Sequence, residues 1–186
     1  MKHLDWDNMQ KSLEALYVLD DYLTDPSKDY LRLIRKKVTD FTSRYSIDNG
    51  AGDSLDVIFT EEVVLIKGFD HENSLNQFAA DQWNQNIIDR IYKGIDEKWL
   101  NLLTLKEREE TTFCIWYDGT IHQNNIENNN GGTWLLGYTF DTYDRFKEFV
   151  IEYYSFEFDD KLLKKLYTDG NLSDRELAEL VHEYRG

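Results

Sequence analysis

Asp70, His71 and Glu72 follow one another directly behind the apolar run Val63-Val64-Leu65-Ile66 and the pair Lys67-Gly68. An imidazole flanked by two carboxylates is raw material for acid–base work or for binding a divalent cation. A metal centre would need further ligands, with Asp81, Asp118 or His122 converging from other segments. No H-x-x-x-H or H-E-x-x-H spacing supplies them. The simpler reading is local, with Asp70 and Ser74 capping a turn or helix and His71 held by a neighbouring carboxylate. Cys114, with His71 and an acid, offers the ingredients of a thiol nucleophile. It is flanked, however, by Phe113, Ile115 and Trp116 in a strongly acidic chain. Its thiolate is disfavoured there, and it reads as core. Gly131-Gly132 has no following lysine and no G-x-G-x-x-G occurs, so no phosphate loop is expected. Neither a catalytic residue nor a metal or cofactor is assigned.

The elements that must position these groups follow from periodicity. Val63–Ile66 reads as a buried strand, with strands expected at about 55–59, 62–68, 112–117 and 133–140. Met9, Leu13, Leu16, Tyr17 and Leu23 keep helical spacing behind a cap at Asp7 or Asn8. Pro26 suits the first turn of a second helix, in which Tyr30, Leu33, Ile34, Val38, Phe41 and Tyr45 share one face. The opposite face would carry Arg32, Arg35, Lys36 and Lys37. Residues 1–48 are therefore expected as a helical hairpin, and Asn49-Gly50-Ala51-Gly52-Asp53 as the boundary to an α+β domain over 53–186. Residues 74–104 read as mostly helical, and the Asn-rich stretch 124–132 as a mobile loop. Two amphipathic stripes follow, Tyr143 to Tyr153 and Leu162 to Tyr167, the second closed by Gly170. Ser173-Asp174-Arg175-Glu176 has capping-box spacing. The expected fold is α+β, a small and mostly antiparallel sheet packed with helices.

Thirty-six acids against 21 bases leave a net charge of −15 over 186 residues. Residues 1–50 hold 9 acids and 8 bases, so the excess belongs to the rest of the chain. Such a field repels nucleic acid and anionic membrane and draws cationic partners. A single cysteine excludes an internal disulfide and a four-cysteine zinc site. The start Met1-Lys2-His3-Leu4-Asp5-Trp6-Asp7 is charged, with no apolar region behind it, and a cytoplasmic place is expected. Five Trp, 12 Tyr and 10 Phe are more than one core of this size requires. Trp and Tyr concentrate at binding hot spots. Trp116-Tyr117-Asp118 and the stretch Tyr153 to Asp160 mix rings with acids, which suits a basic protein partner. Trp116, Tyr117, Asp118, Glu157, Asp159 and Asp160 are the expected contact residues.

Leu65-Ile66-Lys67-Gly68-Phe69-Asp70-His71-Glu72-Asn73-Ser74, Thr112-Phe113-Cys114-Ile115-Trp116, Trp134-Leu135-Leu136-Gly137-Tyr138 and Tyr153-Tyr154 together resemble a group of small bacterial immunity proteins of polymorphic or contact-dependent toxin systems. The resemblance covers roughly residues 55–185 and leaves the N-terminal helices outside. It implies a cytoplasmic, non-enzymatic protein that binds its cognate toxin, many such toxins being nucleases with basic clefts. The motif residues Gly68, Asp70, His71, Glu72, Ser74 and Cys114 then read as structural. The alternative is a metal-dependent hydrolase built on Asp70, His71 and Glu72. A nucleic-acid mimic would follow from charge alone.

Overall fold

The computed structural model describes residues 5–182. The chain divides into two compact units, one of residues 33–136 and one of residues 1–32 with 137–186.

The first of these units is built on a six-stranded antiparallel sheet in sequential order: β1 (Ile34–Val38), β2 (Ser43–Asp48), β3 (Ser54–Phe59), β4 (Val64–Phe69), β5 (Phe113–Tyr117) and β6 (Ile121–Gln123). Three short helices, α2 (Gln85–Ile91), α3 (Glu97–Leu100) and α4 (Leu105–Glu109), lie between β4 and β5 in sequence. β3, β4 and β5 are buried almost throughout. This is why they read as continuous apolar runs rather than as an alternating pattern. Register sets which residues share a face. Asp56 pairs with Lys67 and Lys67 with Cys114, while Ile58 pairs with Leu65 and Leu65 with Trp116. Ile58, Leu65, Cys114 and Trp116 form a core with Ile88, Ile91, Tyr92 and Leu103.

The other unit is helical. It holds α1 (Trp6–Leu23), a 3-10 segment at Pro26–Leu31, α5 (Tyr143–Tyr154), α6 (Asp160–Asp169) and α7 (Asp174–Leu180). A two-residue ribbon pairs β7 (Glu157–Phe158) with β8 (Val181–His182). The caps follow sequence chemistry. Asp5, not the expected Asp7 or Asn8, caps α1 and accepts from the Asn8 amide; Gly170 ends α6 at φ 73°, and Ser173 and Glu176 close a capping box, as their spacing implies. Leu163 and Leu166 of α6 are fully buried, as are Phe146 and Val150 of α5. Phe146 packs against Phe140 and Tyr167, so much of the aromatic content here is core.

The architecture is α+β with an antiparallel sheet and an N-terminal helix, as the periodicity implies. The second helix of the expected hairpin is absent. After the 3-10 segment that Pro26 opens, residues 34–48 form the strand pair β1–β2. Of the apparent helical face, Leu33, Ile34 and Tyr45 are buried, but Val38 is 60% and Phe41 81% exposed. Arg35, Lys36 and Lys37 thus sit on an edge strand, where positive charge discourages pairing with another chain. Asn49–Asp53 is the turn between β2 and β3, with Asn49 Oδ1 accepting from the amides of Ala51 and Asp53. Residues 74–84 hold no helix, and the strand expected near 133–140 is a 3-10 segment, Thr133–Tyr138.

Candidate functional site

The turn behind β4 places Asp70 and His71 next to Asp53, from the β2–β3 turn. One ligand atom from each of the three lies within 4.8 Å of the others. Asp53 is 6% exposed, and its Oδ1 accepts from both the His71 amide (2.9 Å) and His71 Nδ1 (2.8 Å). Its Oδ2 accepts from Asn49 Nδ2 at 2.8 Å. Both oxygens of Asp70 are engaged too. Its Oδ1 accepts from the Glu72 amide, an Asx turn, and its Oδ2 from the Trp134 indole at 2.9 Å. The neighbouring carboxylate that holds His71 is therefore Asp53, eighteen residues upstream. The Asp70 turn motif is as the spacing implies.

The hydrogen bond that His71 donates to Asp53 raises the His71 pKa. Burial pushes the Asp53 carboxyl up, but bonds from His71 and Asn49 outweigh it and leave the acid below its ordinary value. A folded-state value raised for His71 means the native state holds the imidazolium proton more tightly. The stabilisation is fully present below the unfolded histidine value of about 6.5 and is lost as pH rises through the higher folded value. Thermal melting of the wild type and His71→Ala should therefore differ most near pH ~5 and least near pH ~9. A gap that widens with pH would contradict the pairing.

Glu72 stays outside the cluster. Its side chain is 85% exposed, with Oε1 3.9 Å from His71 Nε2. Asp81 is exposed on the following loop. Asp118 and His122 do not join either. His122 Nε2 lies 3.0 Å from Asp118 Oδ1, and the His122 ring stacks on Trp116 at 5.1 Å between centroids. The bond to His122 lowers the Asp118 pKa, and the Thr120 amide adds to this. A hollow of about 460 Å³ adjoins the turn. Ser74, Leu75 and residues 126–130 line it, and the cluster itself does not.

The remaining motif residues do structural work. A Cβ on Gly68 would sit 2.0 Å from the Phe113 ring, so glycine is required for β4 and β5 to pair at this height. Cys114 is 1% exposed, and burial pushes its thiol up, against the thiol-nucleophile chemistry. Ser74 Oγ accepts from Asn129 rather than capping a helix. Asn129 also exchanges hydrogen bonds with Asn73, and Asn124 donates to the carbonyls of Ile91 and Lys93. The Asn-rich stretch is thus pinned at both ends, contrary to the expected mobile loop. Gly131 and Gly132 have φ of 71° and 88° and approach the Thr112 carbonyl and the Asp70 carboxylate too closely for any side chain.

The six expected contact residues fall in different units. Trp116 is 3% exposed and belongs to the core, so it cannot serve as an exposed anchor. Tyr117 is half-buried beside Asp118, whose carboxylate also accepts from the Thr120 amide of the β5–β6 turn. Asp159 caps α6, and Asp160 pairs with Lys147 and Tyr143. Glu157 is exposed on β7.

Sequence reasoning did not single out Lys67, which is 3% exposed on β4. Its Nζ lies 3.8 Å from Asp56 Oδ2. Asp56 also accepts from Arg44 and Ser46, and Arg44 reaches Glu107. A lysine inside an apolar run was the only signal available.

Fold and site define an α+β protein whose one close group of three Asp and His ligands, among the described residues, is tied up in turn hydrogen bonds. No known protein family, curated protein or solved structure matches the chain. Among the described residues no helix is long and apolar enough to cross a membrane.

Proposed function

We propose that this is a non-enzymatic binding protein of the immunity type, which neutralises a basic bacterial toxin in the cytoplasm by covering it with an acidic surface. The observation that carries the reading is the spread of the charge. The unit 33–136 holds 17 acids and 10 bases, the other unit 19 and 11, so neither half depends on the other for its negative field. Charge of this kind speeds encounter with a cationic partner and discriminates against anionic ones. The commitment of Asp53 and Asp70 to five donors supports the same reading, since those oxygens hold the turns together.

The test is capture with the tagged chain from its native cell, washed first at low and then at high salt. A co-eluting basic protein released by salt, whose toxicity the chain suppresses on co-expression, is the expected result. The second reading, a metal-dependent hydrolase, is favoured by the closeness of Asp53, Asp70 and His71 and would use His71 Nε2 as a ligand. Stoichiometric metal in the purified protein, lost in His71→Ala, with no protein captured at either salt, would replace the first reading with the second.

A further inference from the structure

The connection from β4 to α2, residues 70–84, has no helix or strand. Unstructured connections longer than about 12–15 residues are uncommon in compact units and are usually functional. This one is built from inside. Asn76 and Gln77 are 6% and 4% exposed, and their amides are spent on the loop itself. Asn76 Nδ2 donates to the His71 carbonyl and its Oδ1 accepts from the Phe78 amide. Gln77 Nε2 donates to the Leu75 carbonyl and its Oε1 accepts from the Asn84 amide. Buried polar side chains thereby fix a loop that carries two aromatic rings, Phe78 and Trp83, on its outer surface.

Phe78 is 56% and Trp83 43% exposed. Their ring centroids are 5.3 Å apart at 74°, and Phe69 extends the row edge-on at 6.5 Å from Phe78. The Trp83 indole is oriented by Gln85 Oε1. Trp134, 53% exposed, is held by Asp70 at the start of the same loop. Rings fixed in this way lose little entropy on docking, which is the property of hot-spot residues. Exposed aromatic rows of this kind mark interaction sites.

The charge carried by these stretches of chain says what docks there. No lysine or arginine occurs between Lys67 and Arg90, while Asp70, Glu72, Asp81 and Asp89 do. Likewise none occurs between Arg108 and the end of that unit. Aromatic faces beside exposed carboxylates recognise guanidinium and ammonium groups, by cation–π attraction and by ion pairing.

We infer that Phe78, Trp83 and Trp134, with Glu72 and Asp81, form the docking surface for an arginine- or lysine-bearing segment of a protein partner. This rests on the binding reading above and gives it a location that differs from the acids of β7 and α6.

The test uses the full ¹⁵N-labelled chain and an acetylated, amidated (Arg-Gly)6 peptide, with (Gln-Gly)6 as control. Saturable, salt-sensitive binding should shift the Trp83 and Trp134 indole signals and leave that of buried Trp116 unmoved. Phe78→Ala/Trp83→Ala should weaken the peptide about tenfold with no change in melting temperature. Glu72→Gln/Asp81→Asn should flatten the salt dependence. No binding of the arginine peptide, or binding indifferent to the aromatic pair, would overturn the assignment. Shifts confined to Glu157, Asp159 and Asp160 would remove this surface and leave the acidic binder standing. Equal binding of the glutamine peptide would overturn the cationic partner. A concentration-dependent dimer abolished by the aromatic variant would give the surface to a second copy of the chain. Loss of the neutralising reading would show separately, as failure of salt-released capture while the peptide shifts persist.

Discussion

Asp56→Ala should destabilise the sheet-bearing unit by about 3–5 kcal/mol, because it leaves a buried ammonium without its nearest counter-charge. Lys67 is 3% exposed, and Asp56 Oδ2 lies 3.8 Å from its Nζ. Removal of Asp56 also takes a partner from Arg44 and from Ser46, although Arg44 keeps Glu107. Lys67→Met should cost much less, since Asp56 would still accept from Arg44 and Ser46 while an apolar chain fills the space beside Leu65 and Cys114. The double variant should recover a large part of the Asp56→Ala loss. Urea unfolding of the three variants checks this; equal losses for Asp56→Ala and for the double variant would show that the ammonium does not carry the cost.

The same lysine gives a pH signature. Burial pushes the Lys67 ammonium below its ordinary value, against the opposing pull of Asp56, Glu110 and Glu107, while Arg44 pushes the same way as burial. A lowered folded value means that the unfolded chain keeps the proton to higher pH. Between the two values the unfolded state binds more protons, so stability rises with pH there and levels off above about 10.5, the unfolded value. Buried Tyr92, whose hydroxyl burial drives upward, acts in the opposite sense at the alkaline end. Comparison with Lys67→Met isolates the lysine. The wild type should gain on the variant as pH rises toward ~10, and a constant difference would sink the assignment.

Gly131→Ala is the other large expected effect. A Cβ there would lie 2.0 Å from the Thr112 carbonyl oxygen, and the residue has φ of 71°. Strain from the left-handed backbone costs about 1–3 kcal/mol and the clash with main chain adds to it. The neighbouring bonds cannot relax freely, because Thr112 Oγ1 donates to the Gly131 carbonyl at 2.6 Å and also accepts from the Asp70 amide. A loss of about 3 kcal/mol or more is expected by denaturant midpoint, with the His71–Asp53 pairing weakened as the Asp70 turn shifts. Gly119→Ala is the control. It shares a positive φ but meets nothing within 4 Å, so only the backbone strain should show. Equal losses at the two positions would mean that close approach at Gly131 plays no part.

The chemistry of single segments was legible without coordinates. β3, β4 and β5 are apolar runs between turn residues, and α5, α6 and α7 carry periodic apolar faces, with α6 ending at Gly170 and α7 opening on the Ser173–Glu176 capping box. These signals are local, set by neighbours three or four residues away, so the sequence reports them directly. Residues 30–45 show the limit. Their apolar spacing fits a helix, yet Ile34 pairs with Ile47 and Tyr45 with Val57, and those cross-strand partners outweigh the period.

The site divides in the same way. The Asp70 turn is written in Asp70-His71-Glu72, since an aspartate bonds its own backbone two residues on. That Asp53 holds His71, that Trp134 holds Asp70, and that Trp116 lies in the core while Phe78 and Trp83 face outward were decided only by the tertiary structure. Each depends on strand register bringing together residues tens of positions apart, and register is fixed by which whole faces can be buried at once.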